Sequence, residues 1–182
     1  IMKIIKYFIE FIFIIFLFFI FKILGFKLAS NLGGKIGELF GPFFRSKNKL
    51  FSNIKKAFPN NNEQNVKLII KSMWANYGRI LSEYIFIKNF RNSNLKKFFV
   101  VEGQEILDEL SNTKEQVIFV SGHFNNFELM AMQIEKSGID LAAVYRPLNN
   151  KFINPIMENI RKKYICKKQI KKGMTGTKEL LL

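Results

Sequence analysis

Val117-Ile118-Phe119-Val120-Ser121-Gly122-His123-Phe124-Asn125-Asn126-Phe127-Glu128 is the stretch on which the reading of this chain turns. Its first four residues are β-branched or aromatic and predict a short buried strand. Ser121-Gly122 ends that strand and delivers His123, the one histidine of the chain, with Glu128 five positions later. An imidazole ordinarily titrates at ~6.5, nearest of all side chains to working pH. A neighbouring carboxylate fixes its tautomer and supports the imidazolium formed when it accepts a proton.

Spacing narrows the geometry. Helical residues five apart are ~140° apart around the axis and share no face. The pair meets only if His123 lies in the turn before a helix and Glu128 in its first turn. A plainer reading stands beside this one. Asn125 with Glu128 matches a capping box, in which the carboxylate serves only the helix. Placement at a strand end favours chemistry, because open α/β sheets bind ligands at the carboxyl ends of their strands.

Outward from this stretch, short units alternate. A strand is expected near Phe99–Val101, a helix over Gln104–Leu110, a strand over Gln116–Val120 and a helix over Asn126–Lys136. A strand over Leu141–Tyr145 leads to Arg146 and a polar loop, and Pro155 opens a helix reaching about Tyr164. The expected fold class is therefore α/β, a mainly parallel sheet flanked by helices. In a parallel sheet His123 and Arg146 would open on the same edge, the cation suited to a phosphate or a developing oxyanion. From Arg161 to Lys172 seven cations occur without an acid, read as a solvated face able to meet acidic lipid.

Upstream, Val66, Ile69, Ile70, Met73, Tyr77, Ile80, Leu81 and Tyr84 recur at helical steps, and Asn62 with Glu63 and Gln64 marks the helix start. Trp74 lies on the edge of that stripe and reads as core. Gly33, Gly34, Gly37 and Gly41 favour close packing or turns. Arg45, Lys47, Lys49, Lys55 and Lys56 follow without an acid, and Phe58-Pro59 breaks the chain.

Ile4 to Phe26 is almost wholly apolar, with lysines on both sides. A membrane span needs ~20 apolar residues, and lysines near the ends can snorkel. The segment reads as a membrane-embedded helix with the globular part cytoplasmic. Leu28-Ala29-Ser30 is a poor cleavage site for a signal peptide. The expected organisation is an anchor over residues 1–27 and an α/β domain over 28–182. Ile1 precedes a natural start at Met2, and Thr177–Leu182 reads as a helix beginning, so a C-terminally truncated fragment is expected.

Hydrophobic residues make up 48% of the 182, with 21 phenylalanines, which excludes a disordered chain. A formal net charge of +15 implies an anionic partner or surface, although a chain heavy in Lys, Asn, Ile and Phe also fits mutational bias. No nucleic-acid-binding motif accompanies the charge, so no nucleic-acid partner is expected. Cys166 is the single cysteine, which rules out an intramolecular disulfide and, with one histidine, a zinc cluster. It reads as a small buried hydrophobe rather than a nucleophile.

Taken in order, the apolar N-terminus, Asn53-Ile54 with Ala57-Phe58-Pro59, the helix ending at Glu83-Tyr84, Val101-Glu102-Gly103, His123 with Glu128, and Tyr145-Arg146-Pro147 resemble the late acyltransferases of lipid A assembly. These lie within the lysophospholipid acyltransferase superfamily, marked by His-x4-Asp/Glu. Between His and Glu the family commonly has Gly-Asn-Trp or similar, where this chain has Phe124-Asn125-Asn126-Phe127 and keeps an aromatic at 127. The family also continues well past residue 182. The resemblance implies transfer of a fatty acyl chain from acyl carrier protein to a hydroxyl of a lipid A precursor, at the cytoplasmic face of the bacterial inner membrane, without metal or cofactor. It makes His123 the general base and Glu128 its orienting partner, with Arg146 in the substrate-binding or oxyanion shell. Asn126 joins Arg146 as a substrate-binding candidate. Rival readings are the same chemistry on another glycolipid or lysophospholipid acceptor, and an inactive truncated membrane-associated module.

Overall fold

The structure is a computed structural model that describes residues 2–92 and 94–180. It divides into two compact units, Phe16–Phe86 and Ile1–Ile15 with Ile87–Leu182.

Helix α1 runs Met2–Phe40 and is interrupted at Gly25, whose backbone (φ 74°, ψ 167°) is not helical. A side chain would strain there, so glycine is the residue that allows the break. The interruption falls within one residue of the expected end of the apolar segment. By length and composition Met2–Phe44 can cross a membrane, and only 6% of its most apolar window is buried in the protein.

In the unit Phe16–Phe86, a 3-10 turn at Gly41–Phe44 follows α1, then α2 (Lys47–Ala57) and α3 (Glu63–Glu83). Asn62 caps α3 as its position predicts, its Oδ1 accepting from Asn65 N at 2.8 Å. The long apolar stripe expected on α3 is only partly inward. Val66 and Tyr84 are buried, but Tyr77 and Leu81 are exposed. The face that meets α1 is instead the small one, Ala75, Gly78 and Ser82. A Cβ on Gly78 would collide with the carbonyl of Gly33, one on Gly37 with the carbonyl of Trp74, and one on Gly41 with the Trp74 ring. The glycines thus set a close backbone approach, as their clustering anticipates, and large side chains are displaced to the outer face. Ser30 adds a hydrogen bond to Glu83 at 2.7 Å.

The other unit holds α4 (Ile87–Asn92), a 3-10 turn at Asn94–Phe98, α5 (Gln104–Thr113), α6 (Glu128–Lys136), β1 (Ala142–Tyr145), α7 (Asn154–Tyr164), β2 (Lys168–Lys171) and α8 (Met174–Leu180). Pro155 stands in the first turn of α7 as expected. Strands β1 and β2 pair in parallel, Ala142 opposite Lys168 through Tyr145 opposite Lys171. Helix α7 supplies the crossover a parallel pair requires. Ile87, Phe90, Met132, Ile134, Ile153, Met157, Ile165, Cys166 and Ile170 form the core. The first turns of α1 belong to this unit too. Asn150 Nδ2 donates to Tyr7 O at 2.8 Å and to Glu10 Oε2 at 3.1 Å, while Phe8 and Phe11 pack on Phe152.

The α/β expectation holds only in small. The described residues are mostly helical, with one two-stranded parallel sheet. Residues 99–101 and 116–120, expected as strands, form none; Ile118 and Val120 are 91% and 90% exposed. A strand needs a neighbour to accept its ladder of hydrogen bonds, and among the described residues neither segment pairs with another strand. Strand β2 was hidden in the lysine-rich run, where Ile165, Cys166 and Ile170 are buried while the lysines stay in water. Helix α8 covers the expected C-terminal helix start; Leu181 and Leu182 lie outside the described residues.

The glycine approach generates a test. Gly78→Ala places a methyl against the Gly33 carbonyl and should destabilise the chain by about 1–3 kcal/mol, the range for overpacking. The readout is a lowered thermal midpoint in detergent micelles, with Ser72→Ala at an exposed position of the same helix staying near wild type.

Candidate active site

Helix α6 begins at Glu128 and has no side-chain cap. Asn125 takes a left-handed conformation (φ 45°), one that Asn tolerates better than most residues, and its carbonyl accepts from Phe127 N at 3.0 Å. The capping box therefore does not form, and Glu128 is relieved of that duty.

Glu128 meets an arginine instead. Arg161 of α7 donates to Glu128 Oε1 through Nε at 2.9 Å and Nη2 at 2.6 Å. Both side chains are largely removed from water, 8% exposed for Glu128 and 16% for Arg161. A charge so enclosed is tolerable only when paired. The guanidinium also lies over the Tyr145 ring, 5.7 Å from its centre. Tyr145 in turn donates its hydroxyl to Glu158, which accepts from Asn154 Nδ2 at 2.7 Å and pairs with Lys171 at 3.5 Å. A connected polar cluster thus joins the start of α6, the end of β1 and α7.

His123 precedes this cluster on the irregular segment before α6. Its ring is exposed and packs edge-on against Phe127, centroids 4.4 Å apart at 64°. The contact made by the imidazole is thus with Phe127, and the carboxylate contact of Glu128 is with Arg161. Asn126 is buried beneath the turn. Arg146 follows β1 and is exposed.

Beside these residues lies an apolar cavity of about 430 Å³. Phe99, Val101, Ile106, Phe119, Leu129 and Ile134 contribute to its wall. Phe119 lies four residues before His123, and Leu129 adjoins Glu128, so the cavity and the polar cluster share α6. Cys166 is buried, its thiol directed to Leu141 O at 2.8 Å, and burial raises its pKa above the ordinary thiol value. That disfavours the thiolate a nucleophile needs. Among the described residues no three His, Cys, Asp or Glu side chains group as a metal site.

The sequence reading assigned Arg161, Tyr145 and Glu158 no site role: Arg161 stood only in the cationic run and Tyr145 only in Tyr145-Arg146-Pro147. One signal was available: within Arg161–Lys172, Arg161 is the one arginine among lysines. A guanidinium suits bidentate pairing with an enclosed carboxylate, where an ammonium is usually left in water.

Two expectations follow from this cluster. Arg161→Met should lower stability by about 3–5 kcal/mol, because it strands the Glu128 charge. The double variant Arg161→Met/Glu128→Leu should recover most of that loss, read by chemical denaturation of the two side by side. The second concerns pH. Burial, then the hydrogen bond to Glu158 and its negative charge, push the Tyr145 pKa from 10.0 up to about 12, against a smaller lowering by Arg161. A raised value means the folded state holds its proton longer. The stabilisation is complete below pH 10 and is lost as pH rises through about 12. Tyr145→Phe should flatten that alkaline fall in thermal midpoint.

A family profile described as bacterial lipid A biosynthesis acyltransferase matches residues 2–174. Among curated proteins, lipid A biosynthesis acyltransferase 2 of Shigella flexneri is 23% identical over 133 residues, which cover 71% of this chain and 42% of that protein. The chain thus spans less than half the length of that relative. No solved structure matches.

Proposed function

Because the chain belongs to the bacterial lipid A biosynthesis acyltransferase family, we propose that it transfers a fatty acyl group from acyl carrier protein to a hydroxyl of a lipid A precursor. The observation that carries the site assignment is the buried Glu128–Arg161 pair, held at the first residue of α6 just after the turn bearing the single histidine.

His123 accepts the proton of the acceptor hydroxyl as its oxygen attacks the thioester carbonyl. The new C–O bond forms, the tetrahedral intermediate collapses with loss of the C–S bond, and His123 returns the proton to the departing thiolate. No covalent enzyme intermediate is needed. Glu128, fixed in place by Arg161, orients the imidazole through its carboxylate. The ring must then turn from Phe127 toward Glu128 as substrate closes over it, the kind of tightening that separates unliganded from reacting geometry. Arg146 and Asn126 bind the acceptor, the former suited to its phosphate or to the oxyanion. The apolar cavity receives the acyl chain, where displaced water favours hydrocarbon at about 25 cal/mol per Å² buried. The apolar half of α1 holds the protein at the bacterial inner membrane, with the site on the cytoplasmic side, where acyl carrier protein is supplied.

Membranes bearing the protein are assayed with labelled acyl–acyl carrier protein and a lipid A precursor. His123→Ala should reduce transfer by at least ~10²-fold, the lower range for general-base catalysis, with the thermal midpoint kept. Glu128→Gln should also lose most activity. A folded His123→Ala variant with near-normal transfer would end the assignment, and transfer only to a lysophospholipid would redirect it to another acceptor.

A further inference from the structure

The end of α1 and the segment joining it to α2 are built unlike a solvated linker. Leu39, Phe40, Phe43 and Phe44 are 65%, 52%, 84% and 78% exposed. Four large apolar side chains within six residues turn most of their surface outward, a patch that calls for an apolar partner. The turn that presents them is nonetheless packed at its start. Gly41 is buried flat against the Trp74 ring, where a Cβ would collide, and Pro42 fixes the backbone of the 3-10 turn that follows. Phe43 and Phe44 thus stand exposed on a turn whose backbone is packed at Gly41.

Charge continues the pattern. Arg45, Lys47 and Lys49 follow at once and are exposed, and Lys56 is exposed further along α2. No acid occurs between Glu38 and Glu63, and the Glu38 carboxylate is already paired with Lys71 at 3.0 Å. Apolar wedges followed by a run of cations suit the boundary of an anionic bilayer, rings among the acyl chains and cations among the phosphates. The patch is the C-terminal end of the apolar stretch Met2–Phe44, beyond the break at Gly25.

We propose that Leu39–Lys49 is a second membrane contact, a preformed wedge that seats the unit Phe16–Phe86 on an anionic lipid surface. It rests on the reading of α1 before Gly25 as bilayer-embedded, but it concerns residues after that break and is tested separately.

The protein carrying Cys166→Ala receives a nitroxide at Phe44→Cys, with Phe43→Cys as a second reporter and Lys67→Cys on α3 as the aqueous control. It is reconstituted in phosphatidylcholine vesicles with and without phosphatidylglycerol. In anionic vesicles the labels at 43 and 44 should relax with oxygen and escape the aqueous nickel reagent, while the label at 67 does the reverse. Arg45→Gln/Lys47→Gln/Lys49→Gln should shift the ratio of lipid-exposed to aqueous label about a hundredfold toward water, about fivefold for each cation removed. Aqueous behaviour at both 43 and 44 in anionic vesicles would overturn the proposal. Equal insertion in neutral vesicles would overturn its anionic part. Dipolar broadening between labels would make a second copy of the chain the occupant and overturn it as well. Resistance to alkaline carbonate extraction reports on α1 independently, so the two readings fail by different results.

Discussion

A carboxylate withdrawn from water must be answered by a cation, and helix α6 carries two of them. Glu128 at its first residue is held by Arg161 of α7, and Glu135 near its end by Arg91 of α4 at 2.5 Å. Arg91 also reaches the carbonyl of Tyr164 at the last turn of α7, at 3.2 Å. Two arginines therefore tie three helices around one another, and Met132 and Ile134 are buried between them. The cavity and the proposed site in this unit are both built on α6, so their geometry depends on those two ion pairs staying closed. Such pairs contribute little net stability against an apolar equivalent, but they penalise any arrangement that opens one side.

Several local features of the sequence carried through to the fold. Asn62 caps α3, Pro155 opens α7, Phe58-Pro59 ends α2 and the glycines of α1 permit a close approach, because each acts through backbone geometry or absent side-chain volume. Features that need a distant partner did not carry through. The runs at 99–101 and 116–120 have strand-like composition, but composition says nothing about which neighbour will supply hydrogen bonds. The stripe on α3 misled for a related reason. Periodicity marks the largest side chains, whereas Gly33 and Gly37 select the smallest face opposite them.

For the candidate site, His123, Glu128 and Arg146 were legible as residue types at a spacing. The identity of Glu128's partner was not. Arg161 lies 33 positions away, within a lysine-rich run whose other cations face water. No pattern in a single sequence links those positions, since the pairing arises from α7 folding back across β1 to form the parallel strand. The capping box was a reasonable local alternative, and the left-handed turn at Asn125 removes it by shifting the helix start to Glu128.

Gly25 separates two constraints that usually act together. Nothing lies within 4 Å of where its Cβ would stand, so there is room for a side chain. What is forbidden is the torsion, and only for one hand of amino acid. The mirror image of φ 74°, ψ 167° lies in the extended region open to ordinary residues. A D-alanine would therefore rest there unstrained where L-alanine would not. An L side chain would oppose the break in the apolar helix through its handedness, not its bulk.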